Sequence, residues 1–249
     1  SGNKVAQKDS TFCKKWGDYV PEPTKGLIAI TTATDSEDTA LFAALEQHGF
    51  QKSRTLSTGQ GFAQEFCLDL VHRIVHIRTR AGSLGVNSAG GTLPPALNHL
   101  NAKFVISAGI CFGLLPKEYG YGKQELGDVL IASDIQDYET VRQGASVKQR
   151  GEKLPASPGL LTAARMAKDQ TDRSKFRVFE GTMLSGQKLV DDADFAAKLR
   201  ETFSEAIGGE MEGNALATSS TYEKRDWVLI KGICDWGMNK GDGAHEIAA

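Results

Sequence analysis

From Lys25 onward, short apolar runs alternate with segments of helical period. GLIAITTA has the compact apolar character of a buried strand, and SEDTALFAALEQHGF after it reads as a helix. LDLVHRIVHI reads as a second strand, a Gly-rich entry leads into helix-like VNSAGGTLPPALNHL, and FVISAGI reads as a third strand. Such alternation predicts a mostly parallel sheet covered by helices. GDVLIASDI follows only a short Gly-, Lys- and Tyr-rich connection, which leaves that neighbour open to antiparallel pairing. RVFEGTMLS, helix-like DDADFAAKLRETF, AIGGEM, the helix EGNALATSSTYEK and WVLIKGIC complete the series, and nothing repeats at a fixed period. The polar, turn-rich stretch YETVRQGASVKQRGEKLPASPG is expected to be an excursion or lid, ending in a helix that begins near Ser157 with Pro158 at its first position.

With 249 residues the chain can bury one large core, so a single domain from about residue 26 is expected, preceded by a polar extension over residues 1–25. Its 29 basic and 31 acidic residues give a net charge of -2 without long blocks of one sign, which disfavours nucleic-acid or membrane binding by charge. There is no apolar run of about 18 residues and no signal-peptide layout, and so a soluble cytoplasmic protein is expected. Cys13, Cys67, Cys111 and Cys234 are widely spaced and form no Cys-x-x-Cys pair, as suits small core residues in a reducing compartment. AGSLG and ISAG miss the serine-elbow pattern by their first Gly, and GYGKQ lacks the Walker spacing. His72 and His76 have no nearby third ligand and read as surface or core residues, so no metal site is expected.

Chemistry concentrates in GGEMEGNALA and KGICDWG. Glu212 would open a helix after a Gly-rich turn, Asp235 would stand at the exit of the next apolar strand, and in an α/β sheet both would face one crevice. Together with GLIAITTATDSED, FVISAGICFG, LGDVLIASD and GTMLSGQKLV, taken in order, these segments resemble the nucleoside phosphorylase and nucleosidase superfamily. The likeness is closest to its methylthioadenosine/S-adenosylhomocysteine nucleosidase branch. The resemblance implies an α/β, phosphorylase-like (purine nucleoside phosphorylase) fold, with a mixed central sheet and helices on both sides. Members usually carry a full closing helix past the point where HEIAA stands, which leaves open a longer natural protein.

The resemblance also implies roles. Asp235 matches the proton donor to the seven-position nitrogen of a departing purine, with Cys234 where a Ser is usual; a helix-capping Asp is the alternative. Glu212 matches the carboxylate that holds the ribose hydroxyls and favours a cationic sugar, Met211 packs on the sugar, and Glu210 supports them. On extended backbone Glu210 and Glu212, two apart, would point the same way. Glu37 falls where nucleosidases activate water, with Asp38 as a possible substitute and simple helix capping as the rival account. Phosphorylases carry an Arg grip here and another Arg before the central glycine loop. ATDSED and ISAG, with Ser107 in the second place, lack both, so water is the expected nucleophile. For the base pocket, Leu189 takes the position of a stacking aromatic, Val190 follows it, and Phe112 takes a usual Gly position. Core packing is the alternative for all three.

The implied activity is hydrolysis of the N-glycosidic bond of a purine nucleoside or nucleotide, with no metal or organic cofactor. One rival is a phosphorylase that holds phosphate through Arg78, Arg80 or Arg142. Another is a silent nucleoside-sensing domain of a larger protein, since GGEMEG and ICFG look most like nucleosidase-like domains at the front of defence- or signalling-associated proteins. A homo-oligomer is expected. The basic candidates Arg78, Arg80, Arg142, Lys148 and Arg150 point to a purine nucleotide rather than methylthioadenosine as substrate.

Overall fold

A computed structural model gives the structure of residues 27–69, 72–142, 148–172 and 174–238. The amino-terminal extension and residues 239–249 lie outside the described residues. β1 (Ile28–Thr32) leads into α1 (Asp35–Gln47), which opens with a capping box: the Glu37 amide donates to the Thr34 side chain, and the Glu37 carboxylate accepts from the Thr34 amide. A hairpin follows, β2 (Gln51–Ser57) with β3 (Phe62–Cys67), and then β4 (Arg73–Arg78). The sequence pattern assigned β2 no strand, because QKSRTLS is polar and largely exposed at the sheet edge. The strand expected from Leu68 begins only at Arg73, and the Leu68 amide donates to the His72 carbonyl just before it.

The chain continues through α2 (Ala89–Leu100), β5 (Phe104–Gly113), β6 (Val129–Asp137), the short pair β7 (Val141–Arg142) and β8 (Lys148–Gln149), and β9 (Lys153–Pro155). The expected excursion is thus the β7–β8 arm together with an edge strand, β9, that pairs with β6. α3 (Pro158–Gln170) starts as expected, with Ser157 as its cap residue and Pro158 first in the helix. β10 (Val178–Ser185), α4 (Ala193–Thr202), β11 (Ala206–Glu210), α5 (Gly213–Tyr222) and β12 (Asp226–Asp235) complete the described chain.

The main sheet runs β11-β10-β6-β12-β5-β1-β4-β3-β2 and is mixed. β1 is parallel to β4 and β5, and β12 is parallel to β5, whereas β12 meets β6 antiparallel. β6 therefore does have antiparallel neighbours, but they are β12 and β9; β5, its predecessor in sequence, is flanked by β1 and β12.

At its far end β5 also pairs antiparallel with β11, through Gly113↔Gly208 and Phe112↔Gly209. The strands β5, β12, β6, β10 and β11 thereby close on one another. Closure at this point requires two glycines: a Cβ on Gly208 would lie 2.4 Å from Leu130 and one on Gly209 2.3 Å from the Phe112 ring. Ala29, Val75, Val105, Leu130, Leu229 and Ile233 belong to the main core, while Phe112, Leu114, Tyr138, Leu184 and Val190 form a second one beside the closure.

Candidate active site

The ends of β1, β11 and β12, the interiors of β5 and β12, and the starts of α1 and α5 deliver the site. Glu37 is in the first turn of α1, directly after β1, and only 3% of it is exposed. One carboxylate oxygen, Oε2, accepts from the amides of Ala33 and Thr34 at 2.6 and 2.8 Å, and Oε1 accepts from Ile110 on β5 at 2.8 Å. The helix cap and the bond to β5 thus use the same carboxylate. Gly109, at φ +155°, makes room for it, since a Cβ there would lie 2.1 Å from Glu37 Oε1 and 3.1 Å from the Lys231 ammonium.

Lys231 stands opposite Gly109 on β12 and is 1% exposed. Its Nζ is 3.2 Å from Oε2 of Glu212, whose other oxygen accepts from the Gly82 amide at 2.9 Å. Burial works against the ammonium, but Glu212, Glu37 and Glu210 around it more than offset that and hold its pKa above the usual lysine range. Sequence reasoning missed Lys231. The available signal was a lone Lys inside the apolar run WVLIKGIC, because a lysine in a buried strand is tolerated only when paired.

Glu210 and Glu212 do not point the same way. Glu212 sits at φ -103°, ψ -23° as the cap residue of α5, so the backbone is no longer extended there. Glu210 turns onto the start of α5 and accepts from the amides of Glu212 (2.8 Å) and Gly213 (2.9 Å). Burial, together with the nearby Glu212 carboxylate, pushes Glu210 up to about 7. Met211 is half-buried, and its carbonyl accepts from the Ser83 hydroxyl at 2.8 Å. The loop of the AGSLG motif is thus stitched across the start of α5, and Gln187 Oε1 holds it from the other side by accepting from the amides of Ser83 and Leu84.

Asp235 ends β12 and is 9% exposed. Its Oδ1 accepts from the Gly237 amide at 2.7 Å, and the Cys234 thiol lies 3.1 Å from its Oδ2. Asp235 and Lys231 both act electrostatically on the Cys111 thiol, which burial pushes far above its usual range.

Other candidates fall outside this cluster. Asp38 cannot substitute for Glu37: one residue further round the helix, its carboxylate faces Thr32, His76 and Arg78 instead. Arg78 is taken up by Asp35 and Asp38. Phe112 and Val190 are buried in the second core, the Phe112 ring lying against Gly209, and Leu189 is 68% exposed. His76 is buried beside Phe42, and desolvation lowers its pKa, while His72 pairs with Asp69 at the surface. Among the described residues, no group of three or more His, Cys, Asp or Glu could hold a metal, and no helix is long and apolar enough to cross a membrane. The side chains of Arg142 and Lys148 lie outside the described structure, and those of Arg80 and Arg150 are exposed.

A mixed sheet partly closed on itself, with buried carboxylates gathered where its strands end, defines a class. The sequence pattern of the phosphorylase superfamily matches residues 27–249, and the chain belongs to that family. It is 27% identical over 193 residues to a "Death domain-containing ATP nucleosidase" of Amphimedon queenslandica, a match covering 69% of this chain and 35% of the relative. It is 28% identical over 162 residues to the 5′-methylthioadenosine/S-adenosylhomocysteine nucleosidase of Desulfotalea psychrophila, covering 63% and 64%. The chain therefore spans about a third of one relative and just under two thirds of the other.

Among solved structures, the 5′-methylthioadenosine/S-adenosylhomocysteine nucleosidase of Neisseria meningitidis, in complex with methylthio-immucillin-A, superimposes with a TM-score of 0.73 at 22% identity, over 90% of this chain and 94% of that one. The futalosine hydrolase of Helicobacter pylori gives 0.72 at 18% identity, over 90% and 92%. These likenesses establish the shared fold.

Proposed function

We propose that this protein hydrolyses the N-glycosidic bond of a purine nucleoside or nucleotide, releasing the free base and a reducing ribose derivative. The observation that carries the reading is the buried cluster of Glu37, Lys231 and Glu212, with Asp235 further along the strand that bears Lys231. In the proposed reaction Asp235 donates a proton to the seven-position nitrogen as the bond to the sugar breaks and its electron pair passes to the base. Glu212 holds the ribose hydroxyls and faces the positive charge that develops on the sugar, with Met211 against the sugar itself. Water, oriented by Glu37, adds to the anomeric carbon and gives up its proton to that carboxylate. Lys231 keeps both glutamates in place, and Glu210 ties down the helix start from which Glu212 projects. Phe112, Leu189 and Val190 would border the base.

The electrostatics support water over phosphate. The ammonium of this cluster is already compensated by three carboxylates, and a phosphate dianion placed there would meet them rather than an Arg fork. For substrate class we favour a purine nucleotide over methylthioadenosine, on the exposed Arg80 and Arg150 and on the likeness to the Amphimedon ATP nucleosidase. The protein is further proposed to act as a homo-oligomer, in a reducing cytoplasm that suits its buried, widely spaced Cys67, Cys111 and Cys234, within a larger antiviral-defence protein. The test is incubation with AMP, ATP, adenosine and methylthioadenosine, with and without phosphate, alongside light scattering. Base release independent of phosphate, fastest for a nucleotide and by an oligomer, is expected. A strict phosphate requirement overturns the hydrolytic reading, and a monomer that prefers methylthioadenosine overturns the nucleotide and assembly readings.

A further inference from the structure

Asp235 lies beyond a break in the register of β12. Pairing with β5 is continuous from Asp226↔Phe104 to Ile233↔Cys111 and then jumps to Asp235↔Phe112, which makes Cys234 the extra residue of a bulge. In a flat strand neighbouring side chains turn to opposite faces. Here the bulge brings the Cys234 sulfur to 3.1 Å from Oδ2 of Asp235, and the same sulfur is 3.3 Å from the Cys111 carbonyl oxygen. The other carboxylate oxygen, Oδ1, accepts at 2.7 Å from the Gly237 amide.

The two donors differ in kind. An amide N–H is fixed and always donates, so Oδ1 is the poorer place for a proton; a thiol hydrogen rotates and can choose its acceptor. We propose that Cys234 is a positioning residue that makes Oδ2 the proton-carrying oxygen of Asp235. Its thiol donates to Oδ2 when the carboxylate is ionised and swings to the Cys111 carbonyl when Oδ2 holds the proton. The inference rests on reading Asp235 as the proton donor to the base. It also gives a reason for a thiol at this position. A hydroxyl would donate more strongly to the ionised oxygen and resist its reprotonation, and a methyl would donate nothing.

Cys111 on β5 is within electrostatic reach of Cys234, Asp235, Glu210 on β11 and Lys231 on β12, and Glu212 at the start of α5 and Glu37 at the start of α1 lie around Lys231 in turn. Cys111 stays a thiol because of its burial. Asp192, whose amide bonds the Gly237 carbonyl, turns its carboxylate onto Phe195 instead.

The experiment compares pH profiles of kcat/KM for Cys234→Ser, Cys234→Ala and the parent, using the fastest-cleaved of AMP, ATP, adenosine and methylthioadenosine, with Asp235→Asn as control. The alkaline fall in activity is expected about one pH unit lower in Cys234→Ser and about one unit higher in Cys234→Ala, as befits strengthening and loss of one hydrogen bond to a charged group. A merely structural role would move both variants the same way and lower their melting temperatures together. Shifts in one direction, or no shift, with Asp235→Asn inactive, overturn the role of Cys234 alone. An active Asp235→Asn overturns the reading of Asp235 and this inference with it.

Discussion

Replacing Lys231 by Met tests how the buried cluster is held. The substitution keeps the approximate volume and removes the ammonium that lies 3.2 Å from Glu212 and near Glu37 and Glu210. Taking one partner from a buried ion pair typically costs about 3–5 kcal/mol. That is a large share of the roughly 5–15 kcal/mol that keeps a protein folded. At about 2–4 °C per kcal/mol for a chain of this size, the melting temperature should fall by about 6–20 °C. Without Lys231 the carboxylates are expected to keep protons in the folded state that they release in the unfolded one. The penalty is then small near pH 4, where the unfolded chain is also protonated, and grows as pH rises. Thermal and urea denaturation between pH 4 and neutrality is the assay. Lys231→Arg should retain most of the stability, and Lys231→Met combined with Glu212→Gln should recover part of it. A Lys231→Met protein as stable as the parent at neutral pH, or one whose penalty grows on acidification, refutes this account.

Asp235→Asn should leave folding and ligand binding intact while lowering kcat by about a hundred- to ten-thousand-fold, read in a base-release assay. Gly109→Ala should lower kcat with a smaller effect on KM, because the new Cβ would lie 2.1 Å from Glu37 Oε1 and must displace that carboxylate; unchanged turnover would remove Glu37 from the chemistry. Glu210 is pushed up to about 7 by burial, so between its unfolded value near 4 and that point the unfolded state has released a proton that the folded state still holds, and stability falls as pH rises. Glu210→Gln, whose amide oxygen can still accept from Glu212 and Gly213, should flatten that fall in denaturation curves, and an unaltered slope counts against it.

Apolar periodicity carried most of the fold, because buried strands such as β1, β5 and β12 and the amphipathic helices between them leave a direct hydrophobic trace. β2 left none, since an exposed edge strand needs no apolar face. The partners of β6 were illegible as well, because pairing depends on which sheet edges stay free after distant strands have met. Glu37, Glu212 and Asp235 were picked out through the family resemblance of the segments that carry them, each beside a strand end or a helix start. Lys231 escaped notice because it is a single charge inside an apolar run. Its meaning depends on contacts with residues 19 positions away and more. The different aims of Glu210 and Glu212 followed from a helix start that local sequence placed correctly but whose dihedral angles it did not dictate.

The central claim is that water, held by the cluster of Glu37 and Lys231, is the nucleophile. Its most direct test is turnover in heavy-oxygen water with phosphate present, followed by mass analysis of the released sugar after immediate reduction to block exchange. The account predicts one heavy oxygen at the anomeric carbon and no phosphate ester. A sugar 1-phosphate without the label would contradict it.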